Sequence, residues 1–316
     1  MTEQQKEALR EDEVKAGTTT GLASPSIDVT DSRQNSLWSD AWGELKRNPM
    51  FWIGSVLGLF FLLMAIFPSV FARGADPRAC SLTNSKQTPS GDHWFGFDQQ
   101  GCDYLANVAY GARNSLIIGL LAVLVVLVLG VVVGAITGFF GGVTDSVLSR
   151  IADVFYAVPF ILGAIVVLRS GILGRGVVAV AIALAAFGWM TAMRLVRSQV
   201  IAVRNSDYVS AARAMGASSR RILVRHILPN AVAPVIVYTT ITIGVLIAAE
   251  ATLTFLGVGL QRPAISWGLQ IDAGQSLLRT APHLVLFPSI ILTLTVMAFI
   301  MLGDALRDAL DPRQRS

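Results

Sequence analysis

Few residues in this chain could do chemistry, and they fall in two places. Two acids, Asp153 and Glu250, stand inside long apolar runs, where a charge is costly in hydrocarbon and normally faces protein or water. Glu250, with Thr252 and Thr254 nearby, can line a polar path or serve helix packing. Asp153 belongs to the pattern Asp145-x4-Arg150-x2-Asp153-x5-Pro159. Arg150 can pair there with either acid, or Asp153 can meet a solute. The second place is a charged stretch, residues 207–229, lodged between apolar segments. Tyr208, Ala211, Ala212 and Met215 recur at i, i+3, i+4 and i+7, so they share one face of a short helix that Gly216 can end. Ser218 or Ser219 can cap a second helix, running through Ile222 and Leu223 until Pro229 stops it. Such an element between apolar spans must bind something outside the lipid.

Catalytic chemistry is not expected. The chain has no Gly-x-x-x-x-Gly-Lys-Ser/Thr sequence to cradle nucleotide phosphates. It has no HExxH pair, no clustered metal ligands, and its histidines His93, His226 and His283 are scattered. The reading is a non-enzyme that binds no cofactor or metal of its own. Cys80 and Cys102 both fall in one polar segment, residues 72–114. Oxidising surroundings there favour a disulfide, the alternative being two unpaired small residues.

The elements that must position these residues are membrane spans. Hydrophobic residues make up 53% of the chain and charged ones 15%, against about 25% charged in soluble domains; mean hydropathy is +0.59. Six runs approach the roughly 20 residues needed to cross the hydrocarbon: 51–71, 115–139, 151–169, 175–196, 234–256 and 284–303. A polar tail of nearly 50 residues precedes the first, which is therefore not a cleaved signal peptide. Lys and Arg are retained on the cytoplasmic side. With the N-terminus inside, thirteen basic residues flank the inner ends, including seven arginines from Arg194 to Arg225, against eight outside. Both termini and the 197–233 loop are thus expected in the cytoplasm. The net charge of +4 follows from this rule and gives no reason to expect a nucleic-acid partner.

Residues 1–35 are too polar to order themselves and read as a disordered cytoplasmic tail. Across 36–50, Leu37, Trp38, Ala41, Trp42 and Leu45 recur at helical spacing ahead of Lys46 and Arg47. This is either an interfacial amphipathic helix or a simple flank of the first span. Gly130, Gly134 and Gly138 form a small-residue stripe, echoed by Gly54 and Gly58, which favours close helix packing within the chain over a subunit contact.

The 207–229 stretch resembles the EAA loop of bacterial ABC importer permeases: Glu-Ala-Ala, three residues, Gly, nine residues, a hydrophobic pair and Leu-Pro. Ala211, Ala212, Gly216, Leu228 and Pro229 keep that spacing, with Ser210 in place of the acid. Arg225 to Asn230, Tyr110 to Ser115, Glu250 to Gly257 and Leu302 to Pro312 resemble the dipeptide and oligopeptide branch. The resemblance covers roughly residues 40 to 316. It implies an all-α integral membrane protein of about six transmembrane helices with a cytoplasmic coupling loop, in the bacterial inner membrane.

It also implies partners: a second homologous permease, two ATP-binding subunits that hold ATP and Mg, and an extracytoplasmic solute-binding protein delivering di- or oligopeptides. Tyr208, Ala211, Ala212 and Met215 would form the face docked on the ATPase, with Gly216 as the turn. Arginines 213, 220, 221 and 225 would pair with ATPase carboxylates or with lipid phosphate. The segments 72–114 and 257–283, the latter with Gln261, Arg262, Pro263, Trp267 and Asp272, would meet the binding protein. Nickel, haem and glutathione importers share this permease type. An ion-coupled carrier using Glu250 is the alternative from another class.

Overall fold

The computed structural model describes residues 37–310, so the tail at 1–35 lies outside the described residues. Those described are helical apart from loops and one isolated bridge, Phe97 to Asp103. Five helices are long and apolar enough to cross a membrane, and a bent pair makes a sixth crossing if it is one span.

Helix α1, Leu37–Leu45, stands apart from α2, Pro49–Ile66. Asn48 caps α2, its side chain accepting from Met50 N at 2.9 Å, and Pro49 supplies a preset first turn. Ala41 and Leu45 are buried against Ala305 and Ala309 near the chain's other end, so α1 is a packed helix of its own. Helix α2 leaves Trp52, Ile53, Val56 and Leu59 half or more exposed, as a lipid-facing surface requires. It ends before Pro68, which starts the short α3, Pro68–Phe71.

The loop from 72 ends earlier than the sequence suggests. Asp103 caps α4, Tyr104–Phe140, by accepting from Ala106 N at 2.9 Å, so this helix of 37 residues begins eleven residues before the hydropathy alone would place it. Helix α5, Gly142–Tyr156, and α6, Phe160–Arg169, meet at 83° around Pro159. Next come α7, Val177–Arg204; α8, Asp207–Ala214; the turn α9, Ser219–Arg221; α10, Leu228–Phe255; α11, Trp267–Gln275; and α12, His283–Leu310.

The glycine stripe sets the centre of the bundle. A Cβ on Gly134 would stand 2.5 Å from Met193 O, and one on Gly138 2.8 Å from Arg197 O. Helices α4 and α7 therefore run parallel at backbone contact, and the stripe is spent on packing within the chain. Arg204, closing α7, donates to Phe139 O at 2.6 Å and Gly138 O at 3.3 Å, satisfying carbonyls that α4's last turn leaves free. Gly54 does the same service for α2 against Ala298 and Leu302 of α12, allowing their backbones to approach.

Candidate functional site

The loop between α7 and α10 is built from its caps. Helix α8 carries Asp207 in its first turn and Arg213 in its last, each complementing the helix dipole. At its end Ala217 N donates to Ala212 O at 3.1 Å and Gly216 N to Arg213 O at 3.0 Å. Gly216 adopts a φ of +80°, so the terminus is a Schellman turn of the kind that favours glycine. Ser218 then caps α9, accepting from Arg221 N at 3.4 Å.

Val209, Ile222 and Ile227 are almost wholly enclosed, packed with Ala135 of α4, Val196 and Val200 of α7 and Val235 of α10. The loop is thereby seated on three spanning helices. Facing away, Tyr208 is 46% and Met215 82% exposed, with Ala211 also open. Ala212 is a correction to the expected docking face: it is buried, at 4%, on the same side as Val209. Two residues three apart point inward and three at i, i+3 and i+7 point outward, so the periodicity marks a face without saying which way it looks.

Pro229 is a second correction, since it does not end the helix. Residues Ile222–Ile227 widen into a π-helical turn, in which Leu228 N donates to Leu223 O five residues back, and α10 continues directly with Pro229 in its first turn. The wider turn accommodates a residue that cannot donate. His226 O, in this segment, accepts from Asn230 Nδ2 at 2.7 Å and stands 3.5 Å from the Tyr208 hydroxyl. Leu228 is half-buried and Pro229 exposed.

The acids also differ from expectation. Arg197 grips Asp145 with two donors, Nε and Nη2, each at 2.6 Å, the bidentate geometry that strengthens such pairs. Arg194 reaches Asp153 at 2.9 Å and lies 4.3 Å over the Tyr156 ring. Arg150, the expected partner, does pair with Asp153, but loosely, at 3.8 Å and with its side chain 86% exposed. The ion pairs thus run between α5 and α7, holding the bent segment to the helix that leads into the loop. Their sequence signal was the arginines of α7, three residues apart on one face.

Glu250 is enclosed, at 0% exposure; Oε1 accepts from the Thr254 hydroxyl at 2.9 Å, which in turn accepts from Leu260 N at 3.1 Å. Ser115 and Ser266 lie beside the carboxyl. Of the two roles open to Glu250, lining and packing, this enclosure fits the packing one, joining α10 to the segment after it. Trp267 is likewise unavailable to any partner, being fully buried with Nε1 donating to Val108 O at 3.0 Å. Gln261, Arg262 and Pro263 are exposed and Asp272 partly so. Cys80 and Cys102 are joined as a disulfide. Among the described residues no group of acids, histidines and cysteines could hold a metal.

Comparison with known proteins agrees with this architecture. Residues 130–316 match the family described as binding-protein-dependent transport system inner membrane component, and residues 36–88 match the N-terminal TM domain of oligopeptide transport permease C. The oligopeptide transport system permease protein OppC of Bacillus subtilis (strain 168) is 39% identical over 280 residues, covering 89% of this chain and 91% of that protein. The dipeptide transport system permease protein DppC of the same organism is 38% identical, covering 89% and 87%. The glutathione transport system permease protein GsiD of Pectobacterium atrosepticum is 36% identical, covering 91% and 95%. Among solved structures, an inward-facing conformation of the MetNI methionine ABC transporter superposes with a TM-score of 0.54 at 21% identity, covering 65% of this chain and 96% of that one. The chain belongs to the binding-protein-dependent transport system inner membrane component family, as a multi-pass membrane permease of the ABC importer type.

Proposed function

We propose that the chain forms half of the translocation pathway of an ATP-driven importer for di- and oligopeptides. A second permease, two ATP-binding subunits and an extracytoplasmic binding protein complete the assembly. The observation that carries this reading is the α8 loop: an exposed face of Tyr208, Ala211 and Met215 on a helix whose opposite face is anchored in three spanning helices. Small side chains between two larger ones suit a helix laid in a groove of a partner. The oligopeptide and dipeptide permeases among the relatives support the solute class.

In this reading the partner subunits bind ATP and Mg and hydrolyse the nucleotide, and this chain converts their closure into helix motion. Displacement of α8 presses Val209, Ile222 and Ile227 against α4, α7 and α10. The bidentate Arg197–Asp145 pair makes the bent α5–α6 segment follow α7. The arginine-rich loop and both termini lie in the cytoplasm by the basic-residue count. The disulfide loop then faces outward, where a bridge survives.

The test is reconstitution. The tagged chain is purified in mild detergent with its co-purifying subunits, placed in vesicles with the binding protein recovered alongside it, and supplied with ATP inside and labelled tripeptide outside. Accumulation that needs both ATP and binding protein is expected; uptake indifferent to ATP would sink the reading. A glutathione importer is the second reading, favoured by the GsiD relatives, and unlabelled glutathione as competitor separates the two.

A further inference from the structure

The lipid-facing side of α2 continues beyond the end of the helix. Its 18 residues rise about 27 Å, most of the roughly 30 Å hydrocarbon core, so Ile66 stands near the boundary. Arg113 of α4 marks the same level, its Nε donating to Ala65 O and its Nη2 to Ile66 O, each at 3.1 Å. An exposed guanidinium at that height belongs with headgroups. Past the boundary Phe67 and Val70 remain open, Val70 at 70%. Arg73 follows, its backbone N donating to Val70 O at 3.2 Å.

The disulfide loop brings the chain back to this point. Trp94 is 59% exposed, with the Arg73 guanidinium 5.0 Å from the centre of its ring. Its Nε1 donates to Gly91 O at 3.1 Å, and Arg73 Nη1 to Asp92 O at 3.4 Å. The residues on either side are tied down: His93 Nδ1 stands 2.8 Å from Asp103 Oδ2, and Phe95 stacks on Phe287 of α12 at 4.0 Å. Trp94 is thus presented outward on a fixed frame. Asp76 and Asp92, the acids of the adjoining turns, make no ion pair with Arg73 among the described residues, which leaves its charge for an outside anion.

An indole with an apolar face and a polar edge suits the headgroup layer, where tryptophan collects. The first end of α2 shows the same pairing: Lys46 lies 5.2 Å over the Trp42 ring, and Trp52 Nε1 donates to Lys46 O at 3.0 Å. Continuity with the open side of α2 through Phe67 and Val70 favours lipid over a protein partner at Trp94. We propose that the disulfide loop rests on the membrane, with Trp94 seated in the headgroup layer and Arg73 on a lipid phosphate. On the orientation above, the leaflet is the outer one. The contact sets the height at which the loop meets any partner in the aqueous phase, whichever solute the assembly carries.

The chain with its co-purifying subunits is reconstituted in vesicles of phosphatidylethanolamine and phosphatidylglycerol, with or without lipid brominated near the headgroup. Emission of the native protein minus that of Trp94→Phe isolates Trp94. Brominated lipid is expected to remove most of this signal and aqueous iodide little of it. Quenching by iodide with no effect of brominated lipid would overturn the proposal. So would iodide quenching that is lost only when the binding protein is added, which would make the patch a protein contact. Arg73→Gln should turn Trp94 toward iodide, and unchanged quenching would overturn the arginine's part. A nitroxide on Asp92→Cys gives a second reading that leaves the ring and the guanidinium in place: it should speed relaxation of the lipid phosphorus, and no enhancement would overturn the contact.

Discussion

Ala211 and Ala212 are neighbours of one type, yet one faces out and the other is sealed beneath α8. Tryptophan at each position therefore gives different failures. Ala211→Trp is expected to leave thermal unfolding in detergent unchanged while abolishing co-purification of the ATP-binding subunits. Ala212→Trp overpacks a closed site at about 1–3 kcal/mol and lowers the unfolding temperature itself. Identical behaviour of the two variants would mean that α8 does not turn Ala211 outward and Ala212 inward. Gly216 offers a second contrast. Nothing lies within 4 Å of where its Cβ would be, but its φ is +80°, so substitution there is opposed by backbone conformation alone, at roughly 1–2 kcal/mol. Gly216→Asn, which tolerates that conformation, should retain most ATP-dependent uptake; Gly216→Val should lose most of it with insertion unchanged. The helical period was legible in both cases, because spacing alone fixes which residues share a face. The inward direction was not, because it depends on Val196, Val200 and Val235, brought there from elsewhere in the chain.

Among the helices, the contact of α4 with α7 leaves the least room for change. Gly134→Val would drive methyl groups against Met193 O and the Val196 side chain, and a backbone held by parallel helices gives way poorly. A loss of about 2 kcal/mol or more is expected, read as a lower temperature of heat-induced aggregation in mild detergent, whereas Gly142→Ala, with open space around it but a φ of +56°, should shift that temperature less. The spans themselves were readable from hydropathy because lipid imposes length and apolarity on each crossing. Their ends were not: Asp103 extends α4 outward as a cap, and the chain bends by 83° at Pro159, inside the run that hydropathy reads as one span. The ion pairs were half legible. Asp145 and Asp153 were visible as acids in need of partners, but Arg194 and Arg197 lie more than forty residues away.

For the molecule as a whole, the disulfide gives a test of sidedness as well as stability. In intact cells neither Cys80 nor Cys102 should take up a maleimide after denaturation unless a reductant is added first. Cys80→Ser should cost the 80–102 loop about 3 kcal/mol of constraint on its unfolded state, seen as faster proteolysis from outside with the spans still inserted. Labelling without reductant would place that loop in a reducing compartment and reverse the orientation implied by the basic residues. The π-helical turn at 222–227 reaches further. Such a turn holds one residue more than an α-helical turn, and each residue of an α-helix advances the chain by about 100°. Deleting one residue between Gly216 and Pro229 would let the turn relax to ordinary helix with α8 kept in register, whereas forcing all the present residues into α-helix would swing α8 through about a quarter of a circle around the axis of α10. The π turn thus works as an angular vernier: it stores one residue that the chain can lose without turning α8 away from its partner face.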